Sequence, residues 1–146
     1  MEKSFKISKY NPSHNNEQLK KEWSSYHDVH KLVSLEDYLF IENEYINTVI
    51  CVCRCLNIKS LKIKDLECYD DSFDLIENNE IEIDELENVL KLVLRELAWF
   101  KLVSQECEFH FGYDYYMYIL LSKDFILHPE CVSDRLFIES FKSPYL

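Results

Sequence analysis

The chain has 146 residues, 47% of them hydrophobic and 14% aromatic, with 29% charged and a formal net charge of -11. This length and apolar content predict one folded domain over residues 1–146 rather than a disordered tail, and the negative balance opposes nucleic acid or an anionic membrane as main partner, since both are polyanions. Its single glycine, Gly112, excludes glycine-rich phosphate loops; with no signal-like start and no apolar run near the roughly 20 residues of a membrane span, a cytoplasmic location is expected.

Phe5 and Ile7 alternate with polar residues up to the turn signal Asn11-Pro12, which predicts a short first strand. Ser13 to Gln18 reads as loop, and Trp23, in an otherwise polar connection, is either an anchor in the core or an interface residue. Ser34, with Glu36 and Asp37 in the turn that follows, predicts a helix N-terminus. The apolar stripe from Leu35 to Leu56 continues that helix, interrupted by Glu42, while the β-branched Val49, Ile50 and Val52 leave helix and strand both open over Cys51 to Leu56.

Ser60 to Tyr69 reads as an edge strand, and a second long helix is expected from an Asp84 cap to Lys101, carrying Leu86, Leu90, Val93, Leu94 and Leu97 on one face and widened by Trp99 and Phe100. Glu106 to Leu121 predicts two strands joined at Gly112, expected to supply a positive φ. Alternation then places Tyr116, Tyr118 and Leu120 on one face and Tyr115, Met117, Ile119 and Leu121 on the other. Leu136 to Phe141 is the last expected strand. The resulting fold class is α+β, a mainly antiparallel sheet with a central aromatic hairpin packed against two long helices.

Six cysteines include Cys51, Cys53 and Cys55. On a helix Cys53 points away from the other two, so the trio does not read as a zinc site, and free structural thiols are expected. Cys107 and His110, three apart on a strand, face opposite ways and make a poor nucleophile and base; His27 and His30 share a helical spacing without an obvious third ligand. No catalytic residue, metal site or cofactor is assigned.

The strongest charge feature is eleven carboxylates between Asp65 and Glu87, with no Lys or Arg until Lys91. It is either a solvated face beside a helix N-terminus or a docking surface for a cationic partner. On the second reading Asp70, Asp71, Asp74, Glu77 and Glu80 bind the partner, joined by Tyr113 and Asp114 at the hairpin tip.

Lys9-Tyr10-Asn11-Pro12, Glu22-Trp23-Ser24-Ser25, Glu44-Tyr45-Ile46, Leu94-Arg95-Glu96, His110 through Ile119, and Leu136 to Tyr145 together resemble the immunity proteins of bacterial contact-dependent or polymorphic toxin systems. The resemblance spans nearly the whole chain and implies that it binds and neutralises a cognate toxin domain, many of which are nucleases with basic clefts; it transfers no catalytic residue. The alternatives are a small enzyme with a pocket near His27, His30 or His110, and a homodimer joined through the aromatic sheet.

Overall fold

In a computed structural model that describes residues 1–68 and 73–146, one seven-stranded sheet with antiparallel pairings carries three α-helices. The strands are β1 (Lys3–Ser8), β2 (Ser60–Cys68), β3 (Glu80–Glu82), β4 (Ala98–Val103), β5 (Cys107–Phe111), β6 (Met117–Leu121) and β7 (Phe137–Ser140), arranged β3-β2-β4-β5-β6-β1-β7. The helices are α1 (Asn16–Leu19), α2 (Leu35–Cys55) and α3 (Leu86–Leu94). No helix among the described residues is long and apolar enough to cross a membrane.

Cross-strand register gives the sheet two different faces. Ile7 pairs with Met117, Phe111 with Met117, Phe109 with Ile119 and Leu102 with Phe109, so these side chains share one face, and all are buried. The same core cluster takes Tyr38, Tyr45, Ile46, Val49, Val52 and Cys53 from α2 and Leu86, Leu90, Val93 and Leu94 from α3. The opposite face carries Lys6, Tyr118, His110, Glu108, Lys101 and Trp99. The C-terminal tail crosses it: Phe141 stacks near Tyr118 at 6.0 Å, and Tyr145 reaches Tyr118 on β6 and Trp99 on β4 at 6.0 and 5.5 Å between ring centres. With both faces covered, every residue of β6 is buried.

Two long helices were expected, and only α2 is one; it runs through Cys55, which settles Cys51–Cys55 as helix, while α3 has nine residues. The expected helix to Lys101 stops early because Glu96 turns to φ 61, letting its own N–H bond the Val93 carbonyl and the Leu97 N–H bond the Leu92 carbonyl. This pairing closes a helix with a left-handed residue, normally glycine. Ala98 to Val103 then alternates buried and half-buried, the period of a strand, which places Trp99, Phe100 and Lys101 on β4. Asn57 closes α2 the same way, at φ 56, with Ile58 N–H on the Cys53 carbonyl.

Three further expectations change. Asp84 does not cap α3; it lies in a 3-10 turn, Ile83–Glu85, before the helix. Asn16–Leu19 is a short helix rather than loop, started by a reciprocal Asn15–Gln18 cap. The strand β2 is not an edge strand, since it pairs with both β3 and β4.

Candidate protein-binding surface

The connection between β5 and β6 departs from the expected glycine turn. Gly112 has φ -108, and the left-handed positions are Asp114 (φ 61) and Tyr115 (φ 67). What Gly112 supplies is space, because a Cβ there would meet the Tyr145 hydroxyl at 3.1 Å and the Tyr118 ring at 3.3 Å. A bulky residue at positive φ is costly and persists only where its surroundings hold it.

Here three tyrosine hydroxyls hold it. Tyr10 Oη donates to the Asp114 carbonyl and Tyr45 Oη to the Tyr115 carbonyl, each at 2.7 Å, while Tyr115 Oη donates to Tyr38 Oη at 2.9 Å. Tyr38 Oη passes its own proton toward Glu42 Oε2 at 2.6 Å, and Arg95 donates from Nε and Nη2 to the two Glu42 oxygens at 2.8 Å. Glu42 is fully buried, so the bidentate guanidinium supplies the charge that burial would otherwise leave uncompensated. Burial raises the Tyr38, Tyr45 and Tyr115 phenols above their ordinary range, so all three stay protonated and able to donate at neutral pH.

Trp23 is the anchor rather than an interface residue: it is buried, 4.9 Å from the Tyr115 ring, and Lys9 lies over it while pairing with Glu22 at 3.0 Å. Around this fixed base the turn projects Tyr113, which is 80% exposed. Beside it Val93, Glu96, Ala98, Trp99, Phe111 and Gly112 line a groove of about 140 Å³. That is below the roughly 300 Å³ of small-molecule sites and suits one inserted side chain. A wider and more open depression near Arg54, Lys59, Glu82 and Asp84 mixes charges of both signs.

Of the expected acidic site, Asp70 and Asp71 lie outside the described residues; Asp74, Glu77, Glu80 and Asp114 are exposed. Glu77 has a structural task. In β2 the register shifts between Lys64 and Glu67, with Asp65 at φ 56. Such a bulge frees backbone donors, and the Glu77 carboxylate accepts from Asp65 N–H at 3.1 Å and Leu66 N–H at 2.7 Å. The bulge also brings Asp65 to Lys101 at 3.1 Å. Asp74 and Glu80 remain as solvent-facing carboxylates along this edge. Register places the end of β2, the start of β4 and the end of β5 at one end of the sheet, since Cys68 pairs with Ala98 and Leu102 with Phe109. Glu80, by contrast, pairs with Lys62 level with Val103, toward the opposite end of the sheet from the Tyr113 turn.

His110 does not face Cys107. Its Nδ1 bonds Ser143 Oγ at 2.7 Å and its Nε2 bonds Glu108 Oε1 at 2.9 Å, a carboxylate–imidazole–hydroxyl series. Ser143 is only 2% exposed, and its hydroxyl also accepts the Tyr145 N–H at 3.1 Å. With no open side for a substrate, the series fastens the tail to the sheet. Cys107 is buried on the helix side, its thiol pushed up to about 12 by desolvation, unlike an activated nucleophile. His27 belongs to the 3-10 turn Tyr26–Asp28, and His30 lies beyond it at φ 70.

The thiol expectation is corrected at Cys51, which is joined to Cys131 by a disulfide across 80 positions of sequence. Cys53, Cys55 and Cys107 are free of disulfides. Glu42 and Arg95 were also missed as a pair: the signal was an acid inside an apolar stripe, which asks for a buried partner. No protein-family model, curated protein or solved structure matches this chain.

Proposed function

We propose that this chain is an immunity protein that binds a toxin domain with a basic surface in the cytoplasm and blocks it sterically and electrostatically, making and breaking no covalent bond. The observation that carries the reading is Tyr113, a large exposed aromatic on a turn whose backbone carbonyls accept from Tyr10 and Tyr45 and whose Tyr115 side chain is bonded to Tyr38. A preorganised aromatic loses little entropy on docking, and tyrosine is enriched at contact centres. The adjacent groove takes a partner side chain, and Asp74 and Glu80, with the net charge of -11 behind them, draw in a cationic face. The resemblance to toxin-system immunity proteins supports the choice of partner.

The test mixes purified protein with a toxin domain of basic surface, taken from the adjoining gene if that gene encodes one, and follows complex formation and toxin activity. Tyr113→Ala is expected to weaken binding by about tenfold or more, as for a contact-centre aromatic. Asp74→Lys with Glu80→Lys is expected to slow association at low salt, with the difference fading near 1 M salt as screening shortens to about 3 Å. Full toxin activity in the presence of excess protein would overturn the proposal.

A further inference from the structure

The Cys51–Cys131 disulfide has a third sulfur beside it. Cys51 and Cys55 lie one turn apart on the last stretch of α2, and Cys131 ends the 3-10 turn Pro129–Cys131 packed against it. The Cys55 and Cys131 sulfurs are 3.6 Å apart, and all three fall within 4.8 Å of one another. A cation with metal–sulfur bonds of about 2.3 Å holds its thiolates roughly 3.8 Å apart in tetrahedral geometry. The Cys55–Cys131 separation already fits one such edge, and opening the disulfide lets Cys51 move back from Cys131 toward the other two edge lengths.

We propose that, in the reduced protein, Cys51, Cys55 and Cys131 form a three-thiolate site for a thiophilic divalent cation of the zinc class. A thiol reductant breaks the Cys51–Cys131 bond, supplying two electrons and two protons and leaving as its own disulfide. The cation then displaces one proton from each of the three thiols. Cys131 is buried, Cys51 half-buried and Cys55 exposed, so the fourth position opens to solvent on the Cys55 side and takes water. Cys53, between Cys51 and Cys55, is buried in the core on another face, and Cys68 lies on β2. Neither belongs to the site.

The probe is Cd²⁺, titrated into the full-length protein after reduction with a phosphine and again after oxidation. Reduced protein is expected to bind one Cd²⁺ with a Kd below about 1 µM and to show sulfur-to-cadmium ultraviolet absorbance, while oxidised protein, lacking two of the three thiols, shows neither. Cys55→Ser, at an exposed position that leaves the core intact, is expected to weaken binding by at least about 100-fold, more than loss of an outer-shell partner; Cys68→Ser is expected to leave it unchanged. Added to protein first loaded with Zn²⁺, the softer Cd²⁺ is expected to displace it with appearance of the absorbance. Absence of the absorbance in reduced protein, unchanged affinity in Cys55→Ser, or loss in Cys68→Ser would each overturn the site.

Discussion

Glu42 and the carboxylates of the acidic edge are the same chemical group under opposite solvation, and the contrast explains which of them shape the fold. Glu42 is out of water altogether, and both its oxygens are matched by Arg95, with Tyr38 as a further donor. Asp74 and Glu80 keep their hydration and leave the fold indifferent to them. Glu77 stands between, exposed yet bonded to two backbone donors of the β2 bulge. Carboxylates that must replace water with protein partners specify geometry; those that keep water project a field.

The comparison breaks most sharply at Arg95. Arg95→Met leaves the Glu42 charge buried without its partner and is expected to cost about 3–5 kcal/mol, seen as a lower urea midpoint with an unchanged slope. Removing both charges, as Glu42→Gln with Arg95→Met, is expected to recover part of that loss. If Arg95→Met cost no more than an average surface change, burial would not be what distinguishes Glu42.

Glu77→Gln sharpens the middle case. The amide still offers an oxygen but has only one acceptor for two N–H groups, so about 1 kcal/mol is expected. Asp74→Lys with Glu80→Lys is expected within about 0.5 kcal/mol of wild type by the same denaturation. Equal costs for Glu77 and Asp74 would remove the distinction between structural and field-projecting acids.

Glu108 adds a pH signature. The hydrogen bond from His110 holds its carboxyl below the usual range. A folded pKa under the unfolded value of about 4.3 means that its stabilisation is fully present above that pH and is lost as pH falls through the lowered folded value. The stability gap between wild type and Glu108→Gln is expected to close on acidification across that window in urea titrations at stepped pH. The smallest effect belongs to Gly112→Ala: its φ of -108 imposes no backbone strain, so only the Tyr145 and Tyr118 rings must give way. A loss of about 1 kcal/mol or less is expected in thermal unfolding, with a change in Tyr145 fluorescence or ring-proton shifts.

Much of this molecule was readable in advance, since Phe5–Ile7, Leu61–Ile63 and Met117–Leu121 carry strand-like patterns and Ser34 onward carries a helical one. The error over Ala98–Val103 has a physical source. Chain reversals normally announce themselves through glycine, and this sequence has one; the left-handed positions fall instead on His30, Asn57, Asp65, Asn78, Glu96, Asp114 and Tyr115. Glu96 gives no local stop signal, so the helix pattern reads through it.

The amino-acid sequence alone determined the α+β class, the acidic balance and the apolar periodicities, because these depend on composition and on neighbours a few residues apart. Only the tertiary structure decided that Glu42 meets Arg95 across 53 positions, that Tyr145 reaches Trp99 and Gly112, and that Cys131 joins Cys51 and Cys55. Those pairings follow from strand order and helix docking, which bring together groups whose separation along the chain carries no trace of their contact.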